Sequence, residues 1–330
     1  MSKEIKTYTT RYLGSKVKLL PWIWKETAPY LKQHNVKTII DAFSGTGVVS
    51  YLYKQKGFEV ISNDFLLFNF YMAKALIENN KIQLSKDEIN FLLNPPTSGE
   101  TFIQNEYTDL FFKLEDTKFL DDLYFAILSL DCEYKRAIAF ASIAQAILKK
   151  APYGRFTTTK MTNMGVKSIK EYFNEVINEY NSLIIDNNMN NKAYSSDAEK
   201  ILEITNADAV YFDPPYGGKS FSKYEHFYNF IEIYIHYWKD EPKIGKLKQV
   251  KKQNSDFSYG SKHDKAFNSL LEKSNHIPLW IFSYNNNGGL SLENLIDIIH
   301  KYKTHIDVKE IEYEYANKVR KYSEFLIFAY

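Results

Sequence analysis

The chain has 330 residues, a formal net charge of +2 and a single cysteine, Cys132. This length suffices for one large catalytic domain with an insertion, and a single cysteine excludes an intramolecular disulfide, as is typical of a reducing, cytoplasmic compartment. The longest apolar stretch, residues 137–148, contains polar residues and is too short to span a bilayer, and no signal peptide is expected.

An apolar strand, a glycine-rich turn and a helix are predicted in succession near the N-terminus. The strand Thr38–Asp41 leads into the turn Ala42–Gly47, and a helix is expected over Val48–Lys56. This succession is typical of the first βα unit of a doubly wound sheet. Gly45 and Gly47 allow a tight turn and the close approach of a ligand, although an ordinary turn is the alternative. Because the spacing is neither G-x-G-x-x-G nor that of a P-loop, a dinucleotide or a nucleoside triphosphate is disfavoured.

A second predicted strand, Glu59–Ser62, ends at Asn63 and Asp64. The Asp64 carboxylate follows the glycines by about 20 residues, the interval at which an acid can accept hydrogen bonds from both hydroxyls of a ribose. The order of these features indicates a ligand that contains adenosine. The alternative for Asp64, taken by itself, is the N-cap of a following helix.

The region between residues 80 and 186 has helical rather than α/β periodicity. Apolar residues recur at helical spacing in three stretches, with a break at Pro95–Gly99. The stretches are Leu120–Leu128, Arg136–Lys150 and Ile169–Ile185. We interpret residues 81–185 as a mainly helical insertion into the sheet domain.

The residues Asp213-Pro214-Pro215-Tyr216 follow the apolar run Ala209–Phe212 and are expected at the end of a buried strand. An amine on an aromatic base is a weak nucleophile because its lone pair is delocalised into the ring, so an enzyme must hold it with acceptors. Asp213 offers a carboxylate, the stiff turn fixes the Pro214 carbonyl as a second acceptor, and Tyr216 offers a flat face for an extruded base. This pattern favours methylation of a base amine; a capped and broken strand end is the alternative.

Three further strands are predicted towards the C-terminus. Pro278–Tyr284 has the apolar character of a buried strand, and Ile306–Tyr315 and Glu324–Tyr330 are expected to close the sheet as an antiparallel hairpin around Asn317–Lys321. The seven histidines are scattered, without an i, i+4 pair or a cluster with cysteine. No metal site is therefore predicted.

Charge is unevenly distributed along the chain. Residues 81–133 carry 4 basic and 11 acidic side chains, residues 134–185 carry 8 basic and 3 acidic, and Lys243–Lys265 contains 7 lysines. Such basic patches suit contacts to phosphates, although a solvated helix face or loop is the alternative. The stretch Lys149–Lys160 is rich in donors and poor in helix signals, so we predict that it contacts nucleic acid.

Three parts of the chain resemble a known family. They are Arg11–Lys16 (RYLGSK), Phe43–Gly47 with Ser62–Asp64, and Asp213–Tyr216. They resemble S-adenosylmethionine-dependent, adenine-N6-specific DNA methyltransferases of the Dam-like group, in which the cofactor motif precedes the target domain and the catalytic motif. Within that group the likeness is strongest to the methylases of FokI-type restriction–modification systems. Gly-Ser-Lys stands here where Dam-like enzymes often have Gly-Gly-Lys.

The resemblance implies an α/β fold, with a Rossmann-like class I methyltransferase sheet and a mainly helical inserted target-recognition domain. Residues 1–80 and 186–330 would form the catalytic, S-adenosylmethionine-binding domain. Residues 81–185 would form the inserted DNA-binding domain. The turn Ser283–Gly288 resembles the later strand-end turn that lies beside the active site in this family.

The resemblance also implies the residues that bind the cofactor. Lys16 should meet the carboxylate of S-adenosylmethionine and Tyr12 should lie near its adenine. Phe43–Gly47 should hold the methionine part, Asp64 the ribose, and Asp197 the region of the adenine. The full predicted cofactor-binding set is Tyr12, Lys16, Asp41, Phe43, Ser44, Gly45, Thr46, Gly47, Asp64, Asp197 and Asp213.

These features predict a site-specific methylase that flips one adenine out of duplex DNA and leaves S-adenosylhomocysteine as product. Asp213, Pro214, Pro215 and Tyr216 are the predicted catalytic residues, and Asp213 aligns the amine rather than deprotonating it. The predicted DNA contacts are Lys149, Lys150, Arg155, Lys160, Lys251 and Lys252. We expect a monomer without metal or membrane, and a restriction endonuclease that acts on the same site without a stable complex.

Two other classes of function are open at this point. The first is methylation of another amine, such as cytosine N4, an RNA base or a protein amide, through a similar turn. The second is a nucleic-acid-binding scaffold that keeps the fold without catalysis. The Asp at the first position of the turn and the order of the motifs favour adenine in DNA, and the joint presence of Lys16, Asp64, Asp213 and Tyr216 disfavours a scaffold.

Overall fold

A computed structural model of the chain describes residues 5–8, 10–151, 154–156, 165–215, 224–251, 257, 262–286, 288–314 and 321–330. Tyr216, Lys160 and Lys252 therefore lie outside the described residues. Within the described parts, none of the helices combines the length and the apolar character needed to cross a membrane.

A seven-stranded, mostly parallel sheet forms the centre of the fold, with the strand order β3-β2-β1-β4-β7-β9-β8. Its strands are β1 (Thr38–Asp41), β2 (Glu59–Asp64), β3 (Lys192–Ser195), β4 (Ala209–Phe212), β7 (Leu279–Asn285), β8 (Ile306–Glu314) and β9 (Lys321–Ala329). A small antiparallel pair is formed by β5 (Lys243–Ile244) and β6 (Gln249–Val250). The α/β sheet predicted from the strand and turn pattern is confirmed.

The order of the strands reverses between β1 and β4, which pair in parallel at the centre of the sheet. The four residues of β4 are all buried, and so are Ile39 and Ile40 in β1, as expected for parallel strands covered on both faces. In open α/β sheets, ligands bind outside the carboxyl ends of the strands at such a reversal point. The glycine-rich turn leaves β1 at this edge and Asp213 leaves β4 there, so the fold brings the two predicted motifs together.

Helices cover the sheet and continue into the middle of the chain. The first group is α1 (Leu20–Gln33), α2 (Val48–Gln55), α3 (Leu67–Ala73) with the π-helical turn Lys74–Glu78, α4 (Lys86–Leu93), α5 (Phe102–Tyr107), α6 (Leu114–Leu128) and α7 (Glu133–Lys150). The second group is α8 (Ile169–Ser182), α9 (Ala198–Ile204), α10 (Tyr224–Phe227), α11 (Asn229–His236), α12 (His263–Lys273) and α13 (Leu292–Ile299). Capping boxes begin α4 at Ser85 and α8 at Ser168.

The helical character predicted for residues 81–185 is confirmed, but a separate inserted domain is not. Helix α7 is buried along most of its length and packs against α3 and the π-helical turn of the sheet region as well as against α8. One continuous apolar core includes residues of β1, α3, α7 and α8. Asn181 in α8 also exchanges two hydrogen bonds with the backbone of Leu84. The division into two domains stays a prediction.

The two strands of the predicted C-terminal hairpin pair antiparallel, and the second of them lies inside the sheet; the predicted connection at residues 317–320 lies outside the described residues. Strand β9 runs antiparallel to β7 on one side and to β8 on the other. The sequence predicted the hairpin but not that β9 would insert between β7 and β8. Because Glu324 is paired with Asn285 at the carboxyl end of β7, this insertion places an acid from the last strand at the ligand-binding edge.

Candidate active site

The glycine-rich turn adopts a conformation that requires glycine at two positions. Gly45 has φ +51° and Gly47 has φ +79°, in the left-handed region that side-chain-bearing residues avoid. A Cβ on Gly45 would also lie 3.2 Å from the Tyr12 ring, and one on Gly47 would lie 3.3 Å from the Tyr8 hydroxyl. Tyr8 donates a 2.5 Å hydrogen bond to the Thr46 carbonyl. Two tyrosines from the N-terminal segment therefore close over this turn.

Asp64 connects the end of β2 to the glycine-rich turn. Its Oδ2 accepts from the Gly45 amide at 2.8 Å, and its Oδ1 accepts from the Leu66 amide at 2.9 Å and from Asn69 Nδ2 at 3.0 Å. Burial raises the pKa of Asp64 to about 6, although these hydrogen bonds oppose the shift. The N-cap of α3 is Leu66, so the alternative that Asp64 is simply the helix cap is wrong.

Asp41 is a buried carboxyl at the end of β1 whose hydrogen bonding is incomplete. Ser50 Oγ donates to its Oδ2 at 2.6 Å, but within the described parts of the chain its buried Oδ1 has no hydrogen-bond partner. Burial is the main cause that raises the pKa of Asp41 to about 7; the Ser50 hydrogen bond opposes the shift, and the charges of Asp213 and Asp64 add to it. A buried acceptor without a partner is costly, which indicates a place for a donor from a ligand.

The turn after β4 holds the predicted catalytic aspartate beside a buried lysine. Lys16 Nζ lies 3.1 Å from Asp213 Oδ1 and 2.8 Å from Glu324 Oε1. Ser283 Oγ donates to the same Glu324 oxygen at 2.8 Å. Pro214 and Pro215 follow Asp213 directly. Lys16, Asp213, Glu324 and Ser283, which we call the lysine cluster, therefore join four distant parts of the chain.

Burial and charge act in opposite directions on the pKa values of the lysine cluster. Burial disfavours the charged form of Lys16, but the carboxylates of Asp213 and Glu324 outweigh it, so the lysine pKa lies above its ordinary value. Burial raises the pKa of Glu324, and Lys16 opposes that shift. Lys16 is thus a stable ammonium that two acids share.

Tyr12 packs beside the glycine-rich turn and Asn69. Its ring stacks on Tyr228 with centroids 4.8 Å apart and an interplanar angle of 15°. Asn69 Nδ2 donates to its hydroxyl at 3.3 Å as well as to Asp64. The Tyr228 hydroxyl in turn accepts from the Leu13 amide at 2.8 Å. Tyr12 is therefore held next to Gly45 and Asp64, and its predicted place near the cofactor adenine stays a prediction.

The remaining predicted cofactor residues lie at the same edge of the sheet. Phe43 contacts Phe257 edge-on with ring centroids 5.3 Å apart. Asp197 follows β3, is exposed, and caps α9 by accepting from the Glu199 amide at 2.9 Å. Phe65 directly follows Asp64 and is 47% exposed, which is unusual for a phenylalanine beside buried polar groups. No pattern in the sequence marks Phe65 as a site residue.

The predicted DNA-contacting residues are placed differently from one another. Lys150 is buried, pairs with Asp116 Oδ2 at 3.4 Å and donates to the Lys167 carbonyl at 2.7 Å. These contacts hold the end of α7 in place, so the ammonium group of Lys150 is directed into the protein and not towards solvent. Lys149 lies 4.0 Å from Glu175. The Arg155 guanidinium packs 5.1 Å from the centre of the Phe227 ring, and Lys251 is exposed after β6.

Several site residues were missed because no local pattern marks them. Glu324 directly precedes the apolar run of β9, and Tyr8 lies in an N-terminal segment without a recognisable pattern. Glu232 on α11 accepts from the amides of Leu67 and Phe68 at 3.1 and 3.0 Å, which holds the start of α3 just after Asp64. For Glu232 and Glu324, the only signal in the sequence was an acidic residue within or next to an apolar stretch.

The crevice carries an excess of negative charge among the residues that the structure describes. Four carboxyl groups, those of Asp41, Asp64, Asp213 and Glu324, lie at this edge with one ammonium, that of Lys16. Such a site attracts a cationic ligand and repels phosphates. In the described parts of the chain there is no group of three or more histidine, cysteine or acidic side chains arranged to hold a metal ion.

Comparisons with known proteins agree with the motifs. Residues 12–285 match the model of the D12 class N6 adenine-specific DNA methyltransferase family. The chain is 32% identical to the Type II methyltransferase M2.HphI of Haemophilus parahaemolyticus, over 92% of this chain and 91% of that protein. It is 28% identical to the Type II methyltransferase M.FokI of Planomicrobium okeanokoites, over 88% of this chain and 46% of the relative. It is also 28% identical to the modification methylase StsI of Streptococcus sanguinis, over 93% and 49%.

Proposed function

The chain belongs to the D12 class of N6 adenine-specific DNA methyltransferases, and on that premise we propose that it is the modification enzyme of a restriction–modification system. It transfers a methyl group to the N6 amine of one adenine within a specific duplex sequence. One observation supports this proposal most strongly. The turn Asp213-Pro214-Pro215 borders an anionic crevice at the point where the strand order of the sheet reverses. We propose that it works in the cytoplasm as a monomer, without a stable complex with its endonuclease.

The crevice fits S-adenosylmethionine, which is a cation at its sulfonium and its amino group. Asp41 Oδ1 and Ser44 Oγ are buried there without hydrogen-bond partners among the described residues, and both suit the methionine part. Asp64 accepts hydrogen bonds from the ribose hydroxyls in this proposal. The exposed Phe65 next to it offers a face for the adenine. When bound, S-adenosylmethionine supplies an electrophilic methyl group.

The chain's own residues would hold and orient the target amine. Asp213 and the Pro214 carbonyl accept hydrogen bonds from the amine, and Tyr216 stacks on the flipped base. A carboxylate is far too weak a base to deprotonate a neutral arylamine. Positioning therefore supplies most of the acceleration, and the proton leaves once the nitrogen has become cationic.

We expect the affinity for S-adenosylmethionine to depend on pH through Asp41. Since the pKa of Asp41 is about 7 and its anion favours a cationic ligand, Kd should fall about tenfold between roughly pH 6 and 8. The free energy of unfolding of the ligand-free protein changes in the opposite sense. Because the folded state raises the pKa of Asp41 to about 7, the protonated Asp41 side chain stabilises the fold, and this stabilisation is lost as the pH rises through that value. Calorimetry across this range, with thermal unfolding, measures both.

Asp41→Asn is the control for this pH dependence. It removes the titrating group and keeps the size of the side chain, so the part of the Kd profile centred near the Asp41 pKa of about 7 should disappear. Asp64, with a pKa of about 6, should still contribute at the acid end. Parallel profiles for the wild type and Asp41→Asn would exclude Asp41 as the source.

We propose that duplex DNA lies against basic side chains of the donor-rich stretch Lys149–Lys160 and of the segment after β6, and that residues 81–185 contribute most to target recognition. Lys149, Arg155, Lys160, Lys251 and Lys252 are the proposed contacts. Lys150 is left out because it is buried against Asp116.

Arg155→Ala tests this surface. If Arg155 meets a phosphate, binding should weaken alike for all sequences and the salt slope should fall by about 1. If it meets a base edge, discrimination at one position should fall by about 1–3 kcal/mol. Arg155→Lys keeps the charge and serves as the control. Binding measured against single-base variants at several salt concentrations separates the two results, and unchanged binding would remove Arg155 from the DNA surface.

One experiment decides the reaction. DNA methylated by the protein is digested to nucleosides, and N6-methyl-2′-deoxyadenosine is separated from N4-methyl-2′-deoxycytidine; an RNA substrate is run in parallel. Only the adenine product in DNA agrees with the proposal. Failure to bind S-adenosylmethionine by calorimetry would favour a non-catalytic scaffold. Single-molecule sequencing of DNA from an expressing host then gives the target sequence.

A further inference from the structure

We propose that Glu324 is a positioning residue for methyl transfer: it holds Lys16 and shares its charge, so that Asp213 keeps acceptor capacity for the target amine. The assignment rests on the proposed function. Glu324 lies beyond residues 12–285, the part of the chain that matches the family. The inference therefore comes from the geometry of this chain and from no family motif.

Glu324 is held more firmly by its surroundings than Asp213 is. It lies in β9, which is paired on both sides, opposite Asn285 of β7 and Ile311 of β8. It is 1% exposed, and Ser283 donates to it at 2.8 Å. Asp213, in contrast, lies in the turn after β4 with its side chain 18% exposed. An acid on a central strand can fix the lysine more accurately than an acid on a turn.

Lys16 shares its charge between the carboxylates of Glu324 and Asp213. Its Nζ is 2.8 Å from Glu324 and 3.1 Å from Asp213, so the shorter contact is to the acid on the strand. Lys16 is buried, and a buried ammonium needs a compensating anion. Without the Glu324 charge, more of this compensation would fall on Asp213. The oxygen lone pairs that Asp213 offers to the target amine would then be drawn into the ion pair.

The test is a double-mutant cycle with Glu324→Gln and Lys16→Gln. Glu324→Gln keeps the size of the side chain and an oxygen to accept from Ser283 while removing the charge. We expect it to lower the single-turnover rate of methyl transfer about tenfold to a hundredfold, the effect of one lost charge-assisted interaction, with a much smaller change in the Kd for DNA. In the Lys16→Gln background, the same substitution should change the rate less than about twofold, because the charge it balances is gone.

Glu310→Gln is the matched control, because it makes the same change at an exposed position of the neighbouring strand β8. Its rate should equal that of the wild type. Ser283→Ala should act in the same direction as Glu324→Gln but more weakly, since it loosens Glu324 without removing its charge. Thermal unfolding of every variant shows whether it is folded at the assay temperature.

Equal effects of Glu324→Gln in both backgrounds, or a wild-type rate for Glu324→Gln, would overturn the assignment. A coupling between Glu324 and Lys16 in unfolding free energy without a coupling in rate would also overturn it, because it would show a structural ion pair only. These results leave the proposed function standing. A wild-type protein that methylates no DNA would instead overturn the proposed function, and this assignment with it.

Discussion

Asp213→Ala is expected to lower the rate of methyl transfer by about 1,000-fold, within the range found for a positioned catalytic group, while changing the Kd for S-adenosylmethionine and for DNA only a few-fold. The reason is that the carboxylate acts on the target amine and contributes little of the surface that holds either ligand. The substitution leaves Lys16 paired with Glu324, which lies 2.8 Å away, so the lysine keeps a counter-charge. Single-turnover transfer of a labelled methyl group measures the rate.

Asp208→Ala provides the matched control for Asp213→Ala. Asp208 directly precedes the amino end of β4, whereas Asp213 follows its carboxyl end. Asp208 accepts hydrogen bonds from the amides of Lys37 and Thr38 at 2.8 and 2.9 Å. Its loss should lower thermal stability but not the rate at a temperature where the protein is folded. Substantial turnover by Asp213→Ala would refute its assignment to the target amine.

Asp64→Ala is expected to weaken S-adenosylmethionine binding by about 1–3 kcal/mol, the range for charge-assisted hydrogen bonds to the two ribose hydroxyls. Part of the loss comes from the protein itself. The Gly45 amide, the Leu66 amide and Asn69 Nδ2 all donate to this carboxylate, so the glycine-rich turn loses one of the groups that hold it to β2. Calorimetry measures the affinity.

Asp64→Asn separates these two causes. The amide keeps the shape and one acceptor oxygen but loses the charge and offers donors, so its affinity should lie between those of the wild type and Asp64→Ala. At saturating cofactor the rate should recover in both variants, because Asp64 does not touch the target amine in the proposed arrangement. A cofactor Kd that is the same in all three proteins would rule out a role in binding.

Lys16 has two partners in the structure that the resemblance did not imply. The resemblance implied a single partner, the carboxylate of the cofactor. In the structure the ammonium lies between Asp213 and Glu324, and the second of these acids belongs to the last strand. Lys16 therefore links the N-terminal segment, the catalytic turn and the C-terminal hairpin, and its substitution should affect more than cofactor affinity.

Lys150 and Arg155 show the limits of reading a basic stretch. Both belong to the donor-rich stretch Lys149–Lys160, which begins in the last turn of α7, and their local composition does not distinguish them. The structure buries Lys150 against Asp116 and places Arg155 over Phe227. Whether a lysine meets a phosphate or an internal acid depends on where its helix ends relative to neighbouring helices, which local composition does not record.

The sequence by itself determined the features that depend on neighbouring residues. The strands β1, β2, β4 and β7, the glycine-rich turn and the Asp213-Pro214-Pro215 turn were all predicted, because apolar runs, glycines with positive φ and prolines act over a few residues. Their order along the chain also indicated one ligand-binding edge, since parallel strands present their carboxyl ends together.

Only the tertiary structure decided which distant side chains meet. The insertion of β9 between β7 and β8 brings Glu324 to Lys16, and the packing of α7 on α3 and α8 joins the helical middle of the chain to the core of the sheet. These outcomes depend on strand pairing and helix packing between segments far apart in sequence. The free energies of such contacts come from burial and charge compensation in the folded chain, and no short stretch of sequence contains both partners.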